Sequence, residues 1–254
     1  MNNKNINKIK FSIITVTKNS EKYLERNILS LKKQIYNNYE HIIIDSNSKD
    51  KTKKILKKYK SGLKILSEED EGLYYAMNKG IKLASGQVIG ILNSDDFYYP
   101  KALKIINDYF TNNPEIDFVF GSTIKYNKIM TGFNPWKIYW TFGFYTTHSV
   151  GFFIKTKSQK KIGFYNTKFK YSADYDLFYR MIVKKKMKGI ATKKNELIGY
   201  FQPGGISDKI KYLDYLNENT KIRLHNNQNY FLVMLIHFLR YIKRWKLIAK
   251  QSKD

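Results

Sequence analysis

Asn93-Ser94-Asp95-Asp96 directly follows an apolar run, Gln87-Val88-Ile89-Gly90-Ile91-Leu92, bounded by Ser85-Gly86 before and by Tyr98-Tyr99-Pro100 after. Such a run reads as a short strand buried on both faces, and it carries two adjacent carboxylates at its carboxyl end. In open α/β sheets ligands bind outside the carboxyl ends of the strands. A hard divalent cation there takes oxygens from one or two carboxylates plus substrate phosphates. The pair therefore points to a metal-assisted site for a phosphate ester. The same tetrapeptide is also good turn and N-cap chemistry before a helix started by proline, so the remaining elements must decide between the two.

Those elements alternate strand and helix in the βαβ manner over the first half of the chain. Residues 10–16 read as a strand and residues 20–34 as an amphipathic helix with Leu24, Ile28, Leu31 and Ile35 on one face. Residues 41–45 are a second strand, 51–60 a helix, 63–66 a third strand and 72–84 a third helix. A helix from Pro100 and a strand over 117–121 follow the acidic turn, and parallel pairs with right-handed crossovers are expected. Residues 122–169 turn aromatic and irregular, with Trp136, Trp140, Phe142, Phe144 and Tyr145 close together, which reads as a substrate-facing region. Helical spacing returns over 172–185, and the segment after Ser207 reads as helices. In one sheet the polar strand ends, Thr17-Lys18-Asn19, Asp45-Ser46, residues 68–72 and Asp95-Asp96, converge on a single cleft. Acids alone would repel a nucleotide diphosphate, and a cation between them resolves the conflict.

Bulk properties narrow the class. At 254 residues the chain can bury a substantial core, and with no cysteine it has neither disulfides nor thiolate chemistry, which fits a cytoplasmic setting. Residues 1–10 are rich in Asn and Lys and have no apolar stretch, so they read as neither secretory signal nor anchor. The formal charge of +25 favours anionic partners. Arginine, the residue of bidentate base and phosphate readout, occurs only at positions 26, 180, 223, 240 and 244, and the lysines are scattered, so nucleic acid is not the expected partner. His237, Arg240 and Arg244, then Lys243, Lys246 and Lys250, form helical stripes beside Phe231, Leu232, Leu235, Phe238 and Tyr241. That pattern suits an anionic membrane surface, burial against the catalytic domain, or pairing in a homodimer.

Four segments, Ser12-Ile13-Ile14-Thr15-Val16-Thr17-Lys18-Asn19, Ile42-Ile43-Ile44-Asp45-Ser46-Asn47-Ser48, Asp70-Glu71-Gly72-Leu73-Tyr74-Tyr75-Ala76-Met77-Asn78-Lys79-Gly80 and Leu92-Asn93-Ser94-Asp95-Asp96, together resemble the family 2 glycosyltransferases with a GT-A fold, an α/β nucleotide-binding sheet flanked by helices. Thr147-His148-Ser149, Ser172-Ala173-Asp174-Tyr175-Asp176-Leu177 with Arg180, and Gln202-Pro203-Gly204-Gly205-Ile206-Ser207 resemble the branch that builds bacterial capsule, colanic acid and lipopolysaccharide sugars. The resemblance covers roughly residues 10–210. It divides the chain into a loosely ordered 1–9, a catalytic domain over 10–207 (nucleotide-binding 10–121, acceptor-binding 122–207) and a basic helical extension over 208–254.

The resemblance implies roles. Asp45 contacts the nucleotide base or ribose, with Thr15, Thr17 and Asn19 lining the same pocket, and Asp70, Gly72, Asn78 and Lys79 approach nucleotide and sugar. Asp96 is the ligand of Mn²⁺ or Mg²⁺, and Asp95 holds the donor ribose or sugar; Ser94 occupies the middle of the family's DxD-like motif, a departure that leaves the first acid's duty to Asp95 or to water. Asp174 is the catalytic base, although the family's preceding acid is Ala173 here. His148 contacts the diphosphate, the metal or the acceptor, Asp176 supports the helix or meets the acceptor, and Arg180 pairs with an acid or the diphosphate. The implied reaction is an inverting, metal-dependent transfer from a nucleotide-diphosphate sugar to a hydroxyl of a surface glycan, lipid-linked, at the inner face of the cytoplasmic membrane. Two rivals make different demands. A sugar nucleotidyltransferase wants a glycine-rich loop after the first strand, where Thr17-Lys18-Asn19-Ser20 has no glycine, and a basic nucleic-acid module has no use for Asp174.

Overall fold

The computed structural model of the protein describes residues 8–140, 144–205 and 208–252. Phe142, Ile206 and Ser207 from the sequence motifs, and most of the amino-terminal segment, lie outside the described residues.

Strand β1 (Phe11–Thr17) is buried along its whole length, because alternate residues serve opposite faces of a sheet covered on both sides. Helix α1 (Leu24–Lys32), β2 (Tyr39–Asp45), α2 (Thr52–Lys58), β3 (Leu63–Ser67), α3 (Leu73–Leu83) and β4 (Val88–Ile91) follow in βαβ order. β4 and β2 flank β1, and β3 lies outside β2, all in parallel. Ile14, Val16, Ile42, Ile44 and Ile91 pack with Met77 of α3 on one face. Phe11, Ile13, Val88 and Leu92 pack on the other face against α1 and α4 (Ala102–Asn112). At Gly80 an added Cβ would lie 2.3 Å from Ile14 Cγ2, so the missing side chain lets α3 press directly onto β1.

The region expected to be irregular contributes the middle of the sheet. After β5 (Phe97–Tyr98), β6 (Phe118–Phe120), β7 (Ser122–Lys125) and β8 (Lys128–Met130), the strand β9 (Phe152–Lys155) inserts between β4 and β6 and runs antiparallel to both. This departs from the expected all-parallel pairing and interleaves the two expected halves of the catalytic domain. Phe144, Phe152 and Phe178 are core, whereas Trp136 and Trp140 are exposed. A short apolar stretch such as Phe152-Phe153-Ile154 carries no period of its own, and its partners lie far away in sequence. After α5 (Thr156–Ile162), α6 (Ala173–Tyr179) and β10 (Gly189–Ala191), the main sheet has the order β10-β6-β9-β4-β1-β2-β3. A second sheet, β5-β11-β7-β8 with β11 at Leu197–Phe201, stands beside it.

Two helices end differently from expectation. Ile35 lies beyond α1 and is 63% exposed. The helix expected over 172–185 is α6 followed by a π-helical turn, Arg180–Lys184, where the Arg180 guanidinium donates to Asp176 and to the carbonyls of Ile162 and Phe164. The carboxyl extension divides into α7 (Tyr212–His225), packed on α6, and α8 (Tyr230–Gln251), which returns along α7.

Candidate active site

The acidic turn sits where the chain leaves the main sheet for the second one. β4 ends at Ile91, Asp96 N–H closes a turn onto the Asn93 carbonyl, and Phe97 opens β5. Helix α1 holds this turn by its backbone: Asn27 donates to the carbonyls of Asn93 (2.8 Å) and Asp96 (3.0 Å), and Arg26 to that of Asp95 (2.6 Å). Asp96 is 1% exposed, accepting from Ser149 Oγ at 2.5 Å and from Gln202 N–H at 2.8 Å. Burial, and then the charge of Asp95, push its carboxyl up to about 8. Burial also raises Asp95, the more accessible of the two. Each oxygen of Asp96 keeps a lone pair beyond the hydrogen bond it accepts.

Asp174 lies in the first turn of α6, only partly buried. It accepts from Tyr74 Oη (3.2 Å), Tyr145 Oη (3.3 Å) and the Tyr175 N–H (2.9 Å). Burial foremost, reinforced by the charge of Asp174, raises both tyrosines well above their ordinary value, so they act as neutral donors. His148 joins this wall to the acidic turn. Its Nε2 lies 2.7 Å from Tyr165 Oη, and the Tyr165 ring packs on Tyr74. The next residue, Ser149, is the one that bonds Asp96. Burial lowers His148, keeping the ring neutral.

Among the described residues no group of three or more His, Cys, Asp and Glu could hold a metal by itself. Two carboxylates whose charge is unfavourable for want of a counter-ion fit a cation that draws its other ligands from phosphate oxygens and water.

Several expected contacts are placed elsewhere. Thr15 faces α1, with its hydroxyl on Asn27 and on His41 Nε2, so it lines no pocket; strand alternation turns it away. Thr17 does end β1, and its buried hydroxyl has no hydrogen-bond partner among the described residues. Asp45 has no exposed surface: Ser48 and Ser67 donate to its carboxylate at 2.5 and 2.6 Å, and it shapes the loop instead of facing solvent. Asn19, at φ +50°, ties the first loop to the second through Ser48 and Lys49. Asp70 accepts from Ser46 and pairs with Lys79 at 2.6 Å, and Lys79 also pairs with Glu68, so that lysine is committed within its own acidic loop. Gly72 is exposed just before α3. Asn78 spends both amide atoms on the Tyr165 backbone, reaching the site only through that tyrosine. Asp176 is fully buried between Arg180 and Asn226; it supports the helix and does not face an acceptor.

Two contributors carry no local signal. Glu218 of α7 accepts the N–H groups of Lys170, Tyr171 and Ser172 at 2.8, 2.7 and 2.6 Å, fixing the loop that launches α6. Lys125, at the end of β7, faces the same cleft. A cavity of about 290 Å³ lined by Ile81, Ile89, Gln159 and Phe164 includes none of these groups and lies away from the site.

The model of glycosyl transferase family 2 matches residues 12–178. The chain belongs to glycosyl transferase family 2. An uncharacterized glycosyltransferase of Methanocaldococcus jannaschii is 31% identical to this transferase over 186 residues, 67% of this chain and 64% of that one. The UDP-Glc:α-D-GlcNAc-diphosphoundecaprenol β-1,3-glucosyltransferase WfgD of Escherichia coli is 35% identical over 127 residues, 48% and 49% of the two chains. The transferase thus spans about half to just under two thirds of the length of such relatives, and these include proteins of bacterial polysaccharide synthesis. Among solved structures, TarS 1–349 of S. aureus in complex with UDP superposes with a TM-score of 0.67 at 19% identity, covering 93% of this chain and 71% of that one. The mannosyltransferase PcManGT of Pyrobaculum calidifontis, in complex with GDP-Man and Mn²⁺, superposes with a TM-score of 0.61 at 15% identity, covering 93% and 65%. The fold of the transferase is GT-A.

Proposed function

We propose that this transferase moves one sugar from a nucleotide-diphosphate donor to a hydroxyl of a growing bacterial surface glycan, with inversion at the anomeric carbon and with Mn²⁺ or Mg²⁺ at Asp95 and Asp96. The observation that carries the proposal is the continuous wall from Asp96 through Ser149, His148, Tyr165 and Tyr74 to Asp174. It supports reading the Asp95-Asp96 pair and the hydrogen-bonded Asp174 as parts of one site. A bound cation would supply electrostatic stabilisation to the diphosphate oxygens as they gain charge.

The chain's own residues do the rest. Tyr74 and Tyr145 orient Asp174, which takes the proton from the acceptor hydroxyl while that oxygen attacks the anomeric carbon. The bond from that carbon to the diphosphate oxygen breaks, and the nucleoside diphosphate departs without a covalent enzyme intermediate. A positioned base contributes about 10² to 10⁴ in rate. The rigid loops around Asp45, Asn19 and Asp70 shape the nucleotide end of the cleft, with Thr17 and Gly72 at its rim.

A panel of UDP- and GDP-sugars, scored by Mn²⁺-dependent thermal stabilisation, followed by NMR of the product anomer, tests the reading. Stabilisation by none, with and without cation, would remove it, and a retained anomeric configuration would overturn inversion alone.

The acceptor is lipid-linked on this reading, as in the printed name of WfgD, and α8 brings the cleft to the inner membrane surface. Among the described residues no helix is long and apolar enough to cross a membrane. α8 instead buries only Val233, Ile236 and Ile248, while Phe231, Leu235, Phe238, Leu239, Ile242 and Trp245 are exposed. Lys243, Arg244, Lys246 and Lys250 stand on its exposed carboxyl half, and from Tyr230 to Gln251 there is no acidic residue. A second copy would set this charge against itself, whereas an anionic lipid surface complements it at about 1 kcal/mol per basic residue near the surface. Flotation with vesicles containing phosphatidylglycerol, compared with phosphatidylcholine alone, should select the anionic vesicles. The full chain carrying Lys243→Glu, Arg244→Glu and Lys246→Glu should stay at the bottom of the gradient. Equal flotation of both proteins, or a stable dimer by analytical ultracentrifugation that these changes dissociate, would remove the membrane assignment.

A further inference from the structure

Lys125 stands partly buried at the end of β7, beside residues that support the acidic turn. Alternation along β7 places it on the same face as Thr123, whose hydroxyl lies 3.4 Å from that of Thr147. Thr147 opens the run in which His148 reaches Tyr165 and Ser149 reaches Asp96. Across the second sheet its register partner is Phe201, and Nζ sits 4.1 Å from that ring's centroid. The residue after Phe201, Gln202, gives its N–H to Asp96. The residue after Lys125, Tyr126, donates to Asp208, which also accepts the Gly204 N–H at 2.6 Å. Lys125 is thereby framed by the supports of Asp96 on one side and by Asp208 on the other, yet among the described residues it forms no ion pair within 4.0 Å. Lys79, on α3, is in the opposite condition, locked between two carboxylates.

A partly dehydrated ammonium with three donors and no ion partner is a ready ligand for an anion. Burial lowers the amine, and the charges of Asp208, Asp96 and Asp174 act on it in the opposite sense, so all three acids lie within its electrostatic reach. We propose that Lys125 is the protein's own cationic ligand for the donor's diphosphate, bonding the phosphate that carries the sugar and remaining on it as the diphosphate departs. This rests on the functional reading above and deepens it: the chain supplies one positive charge of its own opposite the Asp95-Asp96 pair. The rival role for Lys125 is an internal counter-charge that only steadies Asp96 and Asp208.

Calorimetric titration of the full chain with UDP, GDP, UMP, GMP and inorganic pyrophosphate, with and without Mn²⁺, separates the two, with Lys125→Met and Lys125→Arg beside the native protein. The expected result is a loss of about 10- to 100-fold in diphosphate affinity for Lys125→Met, the range of one charge-assisted hydrogen bond. Monophosphate affinity should hold, the melting temperature of the ligand-free protein should not fall, and Lys125→Arg should recover part of the loss. Equal losses for mono- and diphosphates, or a lowered melting temperature with diphosphate selectivity intact, would overturn the proposal in favour of the counter-charge. If the native protein binds the diphosphates and Lys125→Met binds them as well, Lys125 is excluded and the transferase reading stands. If the native protein binds none of these compounds, the reading falls and the proposal with it.

Discussion

Asp96 and Asp174 lie at the two ends of one chain of contacts through Ser149, His148, Tyr165 and Tyr74, and their surroundings differ in kind. Asp96 is sealed behind the junction of two sheets, with an acidic neighbour and, among the described residues, no cation in an ion pair with it, and both burial and Asp95 oppose its charge. Asp174 stands partly open in the first turn of a helix, where the dipole favours negative charge, and two neutral phenols and a backbone N–H already bond it. The first environment calls for a positive ion. The second leaves a carboxylate oriented by its donors and partly exposed. One residue type thus stands in two unlike settings, a buried one beside a second acid and a partly open one lined by hydrogen-bond donors.

Removing one end at a time sharpens that contrast. Asp174→Asn should lower kcat by about 10² to 10⁴ while donor binding, followed by calorimetry, is largely kept. Loss of donor binding in the same proportion would erase the distinction between the two ends. Asp96→Asn should abolish the Mn²⁺-dependent part of nucleoside diphosphate binding in thermal-shift assays.

The same Asp96 variant makes a pH prediction of definite sign. Its carboxyl is raised in the folded protein from 3.8 to about 8, so the folded chain holds a proton that the unfolded chain has released. The associated stability is complete below the unfolded value and is lost as pH rises toward 8. The melting temperature of the metal-free protein should therefore decline over that window from this group, and the Asn variant should flatten that part of the curve. Mn²⁺ affinity should rise over the same range as the proton is displaced. An unchanged pH profile in Asp96→Asn would break the account of a charge-starved carboxylate.

Smaller effects probe the supports at the Asp174 end. Glu218→Ala leaves three N–H groups without their acceptor, one exposed and two partly buried, at about 1 kcal/mol for a hydrogen bond lost, and should lower both the melting temperature and kcat without altering Mn²⁺ binding. Tyr145→Phe removes one neutral donor and should reduce kcat by about fivefold, the effect of a single hydrogen bond of roughly 1 kcal/mol. If either change weakened metal binding more than turnover, the two ends would not be separable.

Much of this arrangement is legible in the chain. β4 is a continuous apolar run and β1 and β2 are rich in Ile, each followed at once by polar residues, and a buried parallel sheet has that local signature. The placement of Asp95 and Asp96 at a strand end follows from it, as does that of Asp174 at a helix start. What was not legible depends on partners distant in the chain. β9 lies in the middle of the main sheet because β4 and β6 leave room for it, and four residues carry no periodicity to announce this. Asp45, Asp70 and Lys79 stand in the expected motifs, but whether such a side chain meets a ligand or a neighbouring loop depends on the serines and acids brought to it across the strand ends. Thr15 and Asp176 differ for a related reason: a motif names a position without showing whether the side chain faces the cleft or a packed helix.

The sequence by itself determined the βαβ half, the strand ends that carry acids and the helix that carries Asp174, because hydrophobic periodicity and turn chemistry are local. Only the tertiary structure decided that Ser149 and Gln202 would hold Asp96, that Glu218 would anchor the start of α6, and that Lys125 would come within electrostatic reach of three carboxylates. The hydrogen bonds among these join residues about 50 to 100 positions apart. Such distances are closed by the burial of the shared core and not by any signal in the neighbouring residues.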